Sequence, residues 1–164
     1  MRSNWIDKKL GDFAPFSYGK SLPERIRVSG KIPVISSAGV TGVHNEAFVQ
    51  SAGIVIGRKG TVGRVTLSMT PFWPIDTAFY IQDEPQKRDI HFTYYLLQTL
   101  RLDQMNSDSA VPGLNRDNAH ALPISVPPTV KEQSQIAYIL SSLDDKIDLN
   151  RRINQTLEAM AQAI

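Results

Sequence analysis

The sequence predicts an α+β protein: a globular, mixed α/β domain with a twisted β-sheet over residues 1–128, then a long coiled-coil helix over 129–164. Two observations predict it. The first 128 residues hold short runs rich in Val, Ile, Thr and Tyr, cut by Gly, Pro, Ser and Asp, which is how strands and their turns read. The last 36 contain neither Gly nor Pro and carry apolar residues at a regular 4-3 spacing, which is how a coiled-coil helix reads.

The elements follow in order. IPVIS (32–36), GIVIGR (53–58), RVTLSM (64–69) and TAFYIQ (77–82) are predicted strands. HFTYYLLQTLRLDQM (91–105) places Phe92, Tyr95, Leu96 and Leu100 at helical spacing and is predicted as a helix. SAVPGLNRDNAHALPISVPP is loop-like, with a short helix near 116–121 and a final strand at ISV. Pro127 and Pro128 punctuate the chain, and Thr129 is an N-cap candidate three residues before Glu132, the capping-box spacing.

Beyond that cap, Ile136, Leu140, Leu143, Ile147, Asn150, Asn154, Leu157, Ala161 and Ile164 form a seam sustained over four heptads. Ile139, Lys146, Ile153 and Met160 flank it, so the apolar stripe is wider than a two-helix seam needs. The stripe therefore predicts a second contact, with the chain's own domain or with another protein. Asn150 and Asn154 specify register at some cost in stability. A parallel pairing would set Lys146 against Arg151, which leans the expectation towards an antiparallel one.

Composition narrows the function. No cysteine is available for disulfides or thiolate metal sites, the N-terminal residues lack an apolar signal core, and no segment nears the ~20 apolar residues of a membrane span. The expectation is a cytoplasmic protein with no membrane contact. The net charge is only +2, yet residues 20–64 hold seven cations (Lys20, Arg25, Arg27, Lys31, Arg58, Lys59 and Arg64) against Glu24 and Glu46. Such a local excess suits a polyanion.

GRKGTVG (57–63) lacks the spacing of a Walker loop or a dinucleotide fingerprint. Two readings stand: a cluster of backbone amides with Arg58, Lys59 and Thr61 meeting a phosphate, or a glycine-kinked sheet corner. Asn115, Arg116 and Asn118 in PGLNRDN suit base-edge or phosphate contacts, while Asn and Asp also simply favour turns. His44, His91 and His120 have no metal-ligand spacing, so no metal is expected. Asp76, Asp83, Glu84 and Lys87 crowd together without the Glu-x-Lys step of common nuclease sites, and VPPT (126–129) lacks the polar and aromatic ends of a base-holding motif. No catalytic set is expected.

Six segments in order resemble the specificity subunit of a type I restriction-modification system: WIDKKLGDFA (5–14), GKIPVISSAGVTG (30–42), GIVIGRKGTVGRV (53–65), IDTAFYI (75–81), VPGLNRDNAHALPISVPP (111–128) and EQSQIAYILSSLDDKIDLNRRINQTLEAMAQAI (132–164). The resemblance implies a target-recognition domain that reads part of a DNA sequence. It also implies a spacer helix packed antiparallel on that of a second recognition half. Partner modification subunits would supply S-adenosylmethionine and adenine methylation, and a restriction subunit translocation and cleavage. The chain itself would need no cofactor and perform no catalysis.

Only one recognition domain and one helix are present, so the expectation divides between the first half of a longer subunit and a half-subunit that dimerises. Ile164 ends the apolar rhythm without a cap, which favours the former. On this reading Lys20, Arg25, Arg27, Lys31, Arg58, Lys59, Thr61, Arg64 and Arg116 line a DNA-facing rim. Ser36, Ser37, Thr41, Asn115 and Asn118 are the candidates for base contacts. The competing reading is a coiled-coil protein-interaction or carbohydrate-binding module without DNA specificity.

Overall fold

A computed structural model describes residues 4–105 and 113–162. Strand β1 (Ile6–Lys9) leads into a one-turn helix, α1 (Leu10–Phe13), and a short strand, β2 (Ser17–Tyr18). After a 3-10 turn at Glu24–Ile26 come β3 (Ile32–Ser36), β4 (Gly39–His44), β5 (Gly53–Gly57), β6 (Val65–Ser68), β7 (Trp73–Pro74) and β8 (Ala78–Gln82). Helix α2 (Ile90–Thr99), a 3-10 turn at Leu102–Gln104, α3 (Arg116–His120), β9 (Pro123–Val126) and α4 (Val130–Gln162) complete the chain. The architecture is α+β with a long C-terminal helix, as the sequence predicts.

Among the described residues the strands form three sheets, in the orders β2-β8-β5-β6, β4-β3-β7 and β1-β9. β5 is central and buried throughout. Because side chains alternate across a strand, Ile54 and Ile56 join Phe79, Ile81, Phe92 and Leu97 in the main core. Val55 faces the other way and packs with Ile35, Val49, Phe72 and Ala78 between the two larger sheets. β1 pairs antiparallel with β9, Ile6 opposite Val126, so the first strand is held by the segment just before α4.

Two buried polar knots hold the helices to the sheets. Arg88, 2% exposed, donates to the Gln82 carbonyl at 2.7 Å, to Glu84 at 2.8 Å and to the Phe13 carbonyl at 3.4 Å. Lys87 also donates to Glu84. The acidic crowd at 83–87 is thus part of a structural tie, and these two donors hold the Glu84 carboxyl below its usual range. In the second knot, Asp89 accepts from the Phe92 amide through Oδ1, capping α2, and from the Ser134 hydroxyl through Oδ2. Gln133 accepts from the Asp89 amide and donates to the Pro127 carbonyl.

The predicted 91–105 helix is interrupted. α2 ends at Thr99, and Arg101 adopts the left-handed region (φ 49°). That reversal buries Leu102 and lets the following turn close over Gly63, where a Cβ would collide with the Leu102–Asp103 backbone. α4 begins with the predicted capping box: the Glu132 amide donates to Thr129 Oγ1 at 3.2 Å, and the Thr129 amide donates to Glu132 Oε2 at 3.3 Å. Its first turns pack on α2, burying Gln133 and Ala137. From Leu143 to Gln162 every residue is exposed. At about 1.5 Å per residue, the free part is roughly 30 Å long.

Candidate nucleic-acid interface

The glycine-rich run turns between β5 and β6. Gly60 and Gly63 adopt φ of 77° and 74°, values that side-chain-bearing residues rarely take. A Cβ on Gly57 would run into the Thr61 carbonyl, so the loop folds tightly on itself. Both readings of GRKGTVG therefore meet in one object: a glycine-relieved corner that carries cations.

The corner is locked to two distant segments. The Arg58 and Lys59 amides both donate to the Thr77 carbonyl, at 2.9 and 3.0 Å, and Thr77 Oγ1 accepts from the Ser37 amide at 3.4 Å. The Leu114 amide donates to the Arg58 carbonyl at 2.8 Å, and Lys59 bridges Gly113. Residues 57–60 thereby lie beside 113–116, the two loops that the sequence marks independently.

Tyr18, half exposed, is shared by the cations of both loops. The Arg58 guanidinium lies 5.4 Å from its ring centroid and the Arg116 guanidinium 4.9 Å. Phe79 meets Tyr18 edge-on at 5.1 Å and also lies beneath Arg58, at 5.8 Å. Arg58 Nη2 donates to the Asp76 carbonyl at 2.7 Å. Two residues beyond Tyr18, Lys20 lies 5.7 Å from the Phe48 ring and 5.8 Å from Trp73. Trp73 Nε1 donates to the Lys20 carbonyl at 2.8 Å.

The other predicted residues divide by what occupies them. Lys59 and Thr61 are exposed at the corner, and Arg64 is exposed with its guanidinium over Gly39. Arg27 ties the segment before β3 to β4, donating to the Leu22 and Thr41 carbonyls. Thr41 Oγ1 donates to the Val34 carbonyl. The Ser36 hydroxyl is buried within the β3–β4 turn, donating to the Gly39 carbonyl and accepting from the Ala38 amide. Ser37 is buried beside Gly57 and Gly60. Asn115 caps α3, its Oδ1 accepting from the Asp117 and Asn118 amides at 2.9 and 3.0 Å. Asn118 is exposed, as are Arg25 and Lys31.

His120 sits behind the cluster. Its Nε2 accepts from the Phe16 amide at 2.9 Å, a bond that requires the unprotonated nitrogen, and burial followed by the Arg116 charge pushes its pKa below the usual histidine value. Among the described residues no group of three or more His, Asp or Glu side chains is placed to hold a metal ion. Sequence reasoning missed Tyr18, Thr77, Phe48 and Trp73. FSYGK carried a signal, Tyr18 two residues before the predicted cation Lys20, whereas Phe48 and Trp73 lie near no predicted cation in sequence and are paired with Lys20 by the fold.

The second surface is α4. Gln133, Ala137, Ser141 and Asp144 form the stripe that faces the domain, and Tyr95 donates to Asp144 Oδ2 at 2.8 Å. The heptad seam lies on the neighbouring stripe. Ile136 packs against the main core and Leu140 is half-buried. Leu143, Ile147, Asn150, Asn154, Leu157 and Ala161 are exposed, and Ile164 lies outside the described residues. Ile153 and Met160 extend the apolar surface, 46% and 61% exposed. No helix among the described residues is long and apolar enough to cross a membrane.

Known proteins are similar to this chain in sequence and fold. A putative type I specificity subunit of Mycoplasma pneumoniae, S.MpnORF638P, is 26% identical over 164 residues, covering 95% of this chain and 42% of its own. The EcoprrI specificity subunit of Escherichia coli is 27% identical over 143 residues, 84% of this chain and 35% of its own. The crystal structure of the type I restriction-modification S subunit from M. genitalium superposes with a TM-score of 0.76 at 19% identity, over 90% of this chain and 41% of that one. At that identity the likeness shows the fold. The chain spans about two fifths of the length of these relatives. The family described as the type I restriction modification DNA specificity domain matches residues 2–159, and with nearly the whole chain covered the protein belongs to it.

Proposed function

We propose that this chain is a target-reading half of a type I specificity subunit. It recognises one segment of a two-part duplex target and presents the outer face of α4 to a second recognition half, either another copy or a second domain of a longer subunit. It performs no catalysis. Modification subunits supply S-adenosylmethionine and the methyl transfer, and a restriction subunit acts on the assembled complex.

One observation carries the reading. Residues 18, 57–60 and 113–116, far apart in sequence, meet at the Tyr18 ring, which carries Arg58 and Arg116 with Lys59 exposed on the adjoining loop. Lys20, two residues beyond Tyr18, stands against Phe48 and Trp73. Exposed cations neutralise phosphates and fix register without reading sequence, and the fixed polar edges among them can meet bases.

The test is selection of the purified chain on randomised duplex DNA at low and moderate salt, alone and with modification subunits. Enrichment of a short motif supports the proposal. A gapped palindrome from the chain alone assigns the second half to another copy, whereas a single half-site assigns it to a separate domain. Without any enrichment, even with modification subunits, the chain is an interaction module with no DNA specificity.

A further inference from the structure

We infer that Arg116 reads a guanine base, its guanidinium held over the Tyr18 ring so that its outer edge donates two parallel hydrogen bonds; this inference rests on the DNA-reading function proposed above.

Two guanidiniums share the Tyr18 ring, and they are not equivalent. Arg58 is committed to the fold: Nη2 donates to the Asp76 carbonyl, and the group lies over both Tyr18 and Phe79. Arg116 begins α3 and approaches the ring more closely, at 4.9 Å. Among the described residues its ion pair is with Asp117, Nε lying 3.6 Å from Oδ1, and that Nε is covered and makes no hydrogen bond to them. Among the described residues, neither Nη of Arg116 donates to protein. The side chain is 38% exposed. The guanidinium carbon lies over the Tyr18 ring, and among the described residues no protein acceptor takes its terminal nitrogens.

That geometry favours a base over a phosphate. Guanine offers O6 and N7 side by side in the major groove, and a planar fork in a fixed orientation matches both. A phosphate contact needs no fixed plane, and Lys59, exposed on the adjoining loop, already supplies mobile positive charge. Tyr18 is then the positioning residue. It makes no hydrogen bond through its own hydroxyl among the described residues, so its contribution is the ring.

The experiment repeats the randomised-duplex selection with the full chain as wild type, Arg116→Lys, Tyr18→Phe and Tyr18→Leu, together with the salt dependence of binding to the selected duplex. The wild type is expected to select a motif containing a G·C pair. Arg116→Lys keeps the charge but loses the fork. It should lower discrimination at that one pair by about tenfold or more while leaving the salt slope unchanged. Tyr18→Leu should weaken the same preference, and Tyr18→Phe should retain it. If Tyr18→Leu fails to fold, Arg116→Lys decides alone. An unchanged Arg116→Lys motif, or weaker binding to every duplex with the motif intact, assigns Arg116 to a phosphate and overturns the inference while sparing the DNA-reading proposal. No motif from the wild type, with modification subunits present, overturns both.

Discussion

The Tyr95 phenol on α2 donates a 2.8 Å hydrogen bond to the Asp144 carboxylate on α4, forty-nine residues away. Among the described residues it is the outermost polar tie between domain and helix: one residue earlier the seam turns to solvent at Leu143, and none of those beyond Asp144 is buried. Burial, then the carboxylate as acceptor, push the Tyr95 pKa from 10.0 up to about 12. The folded state therefore holds the proton more tightly than the unfolded state. The contribution is complete below pH 10 and is lost as pH rises towards 12. Tyr95→Phe should remove the late phenolate absorbance step in an alkaline titration. It should also cost about 1 kcal/mol in urea unfolding at neutral pH.

Arg58 and Lys59 are neighbours with different fates, and their substitutions should separate accordingly. Lys59→Ala should lower DNA affinity for all sequences and reduce the salt slope by about one, with no change in unfolding midpoint. Arg58→Ala removes a hydrogen bond and two aromatic contacts, so it should cost about 1–2 kcal/mol of stability before any DNA is added. Equal effects of the two on urea unfolding would contradict the division.

Leu143 is 50% exposed and lies on the outward stripe of α4. Leu143→Asp should leave the thermal midpoint of the monomer unchanged. It should weaken pairing with a second helix at least tenfold, by setting an unpaired charge in an apolar seam. Sedimentation velocity across a concentration range distinguishes this from a mutant that associates like the wild type, which would place the pairing surface elsewhere.

His120 predicts a pH dependence of the opposite sign to that of Tyr95. Its folded pKa lies below the ordinary 6.5, so between the two values the unfolded state binds the extra proton. Stability is complete above pH 6.5 and falls as the pH drops towards the folded pKa. His120→Gln should flatten the curve between pH 7 and pH 5 in urea unfolding, at the cost of the bond to the Phe16 amide.

The strands 32–36, 53–57, 65–68 and 78–82 were legible because each is an apolar run between turn residues. β1 was not: IDKK is exposed along its whole length and is a strand only because β9 pairs with it across the domain. β4 hid in GVTGVH, where two glycines break the strand signature and a register shift between Val34 and Ile35 accommodates them. The break in the predicted 91–105 helix at Arg101 has no Gly or Pro to announce it. At the interface the cations were visible as composition, but Asn115, read as a base contact, serves as a cap that its position before a short helix could have suggested. Tyr18 could not be paired with Arg58 and Arg116 without the fold that brings residues 18, 58 and 116 together. On α4 the heptad spacing was plain, whereas the stripe of Gln133, Ala137 and Asp144 that meets the domain is only partly apolar and carries no periodic signal.

Asp89 divides its carboxylate between two helices, one oxygen capping the start of α2 and the other holding Ser134 near the base of α4. The free part of α4 is therefore a lever about 30 Å long clamped near its root. A tilt of about 5° at Ser134, about 42 Å from the far end at Gln162, would swing that end by about 3.7 Å, more than one hydrogen-bond length. The aim of the whole rod is set by a few short polar contacts near its base, and a slight lengthening of any one of them would be read at the tip as a misplaced partner.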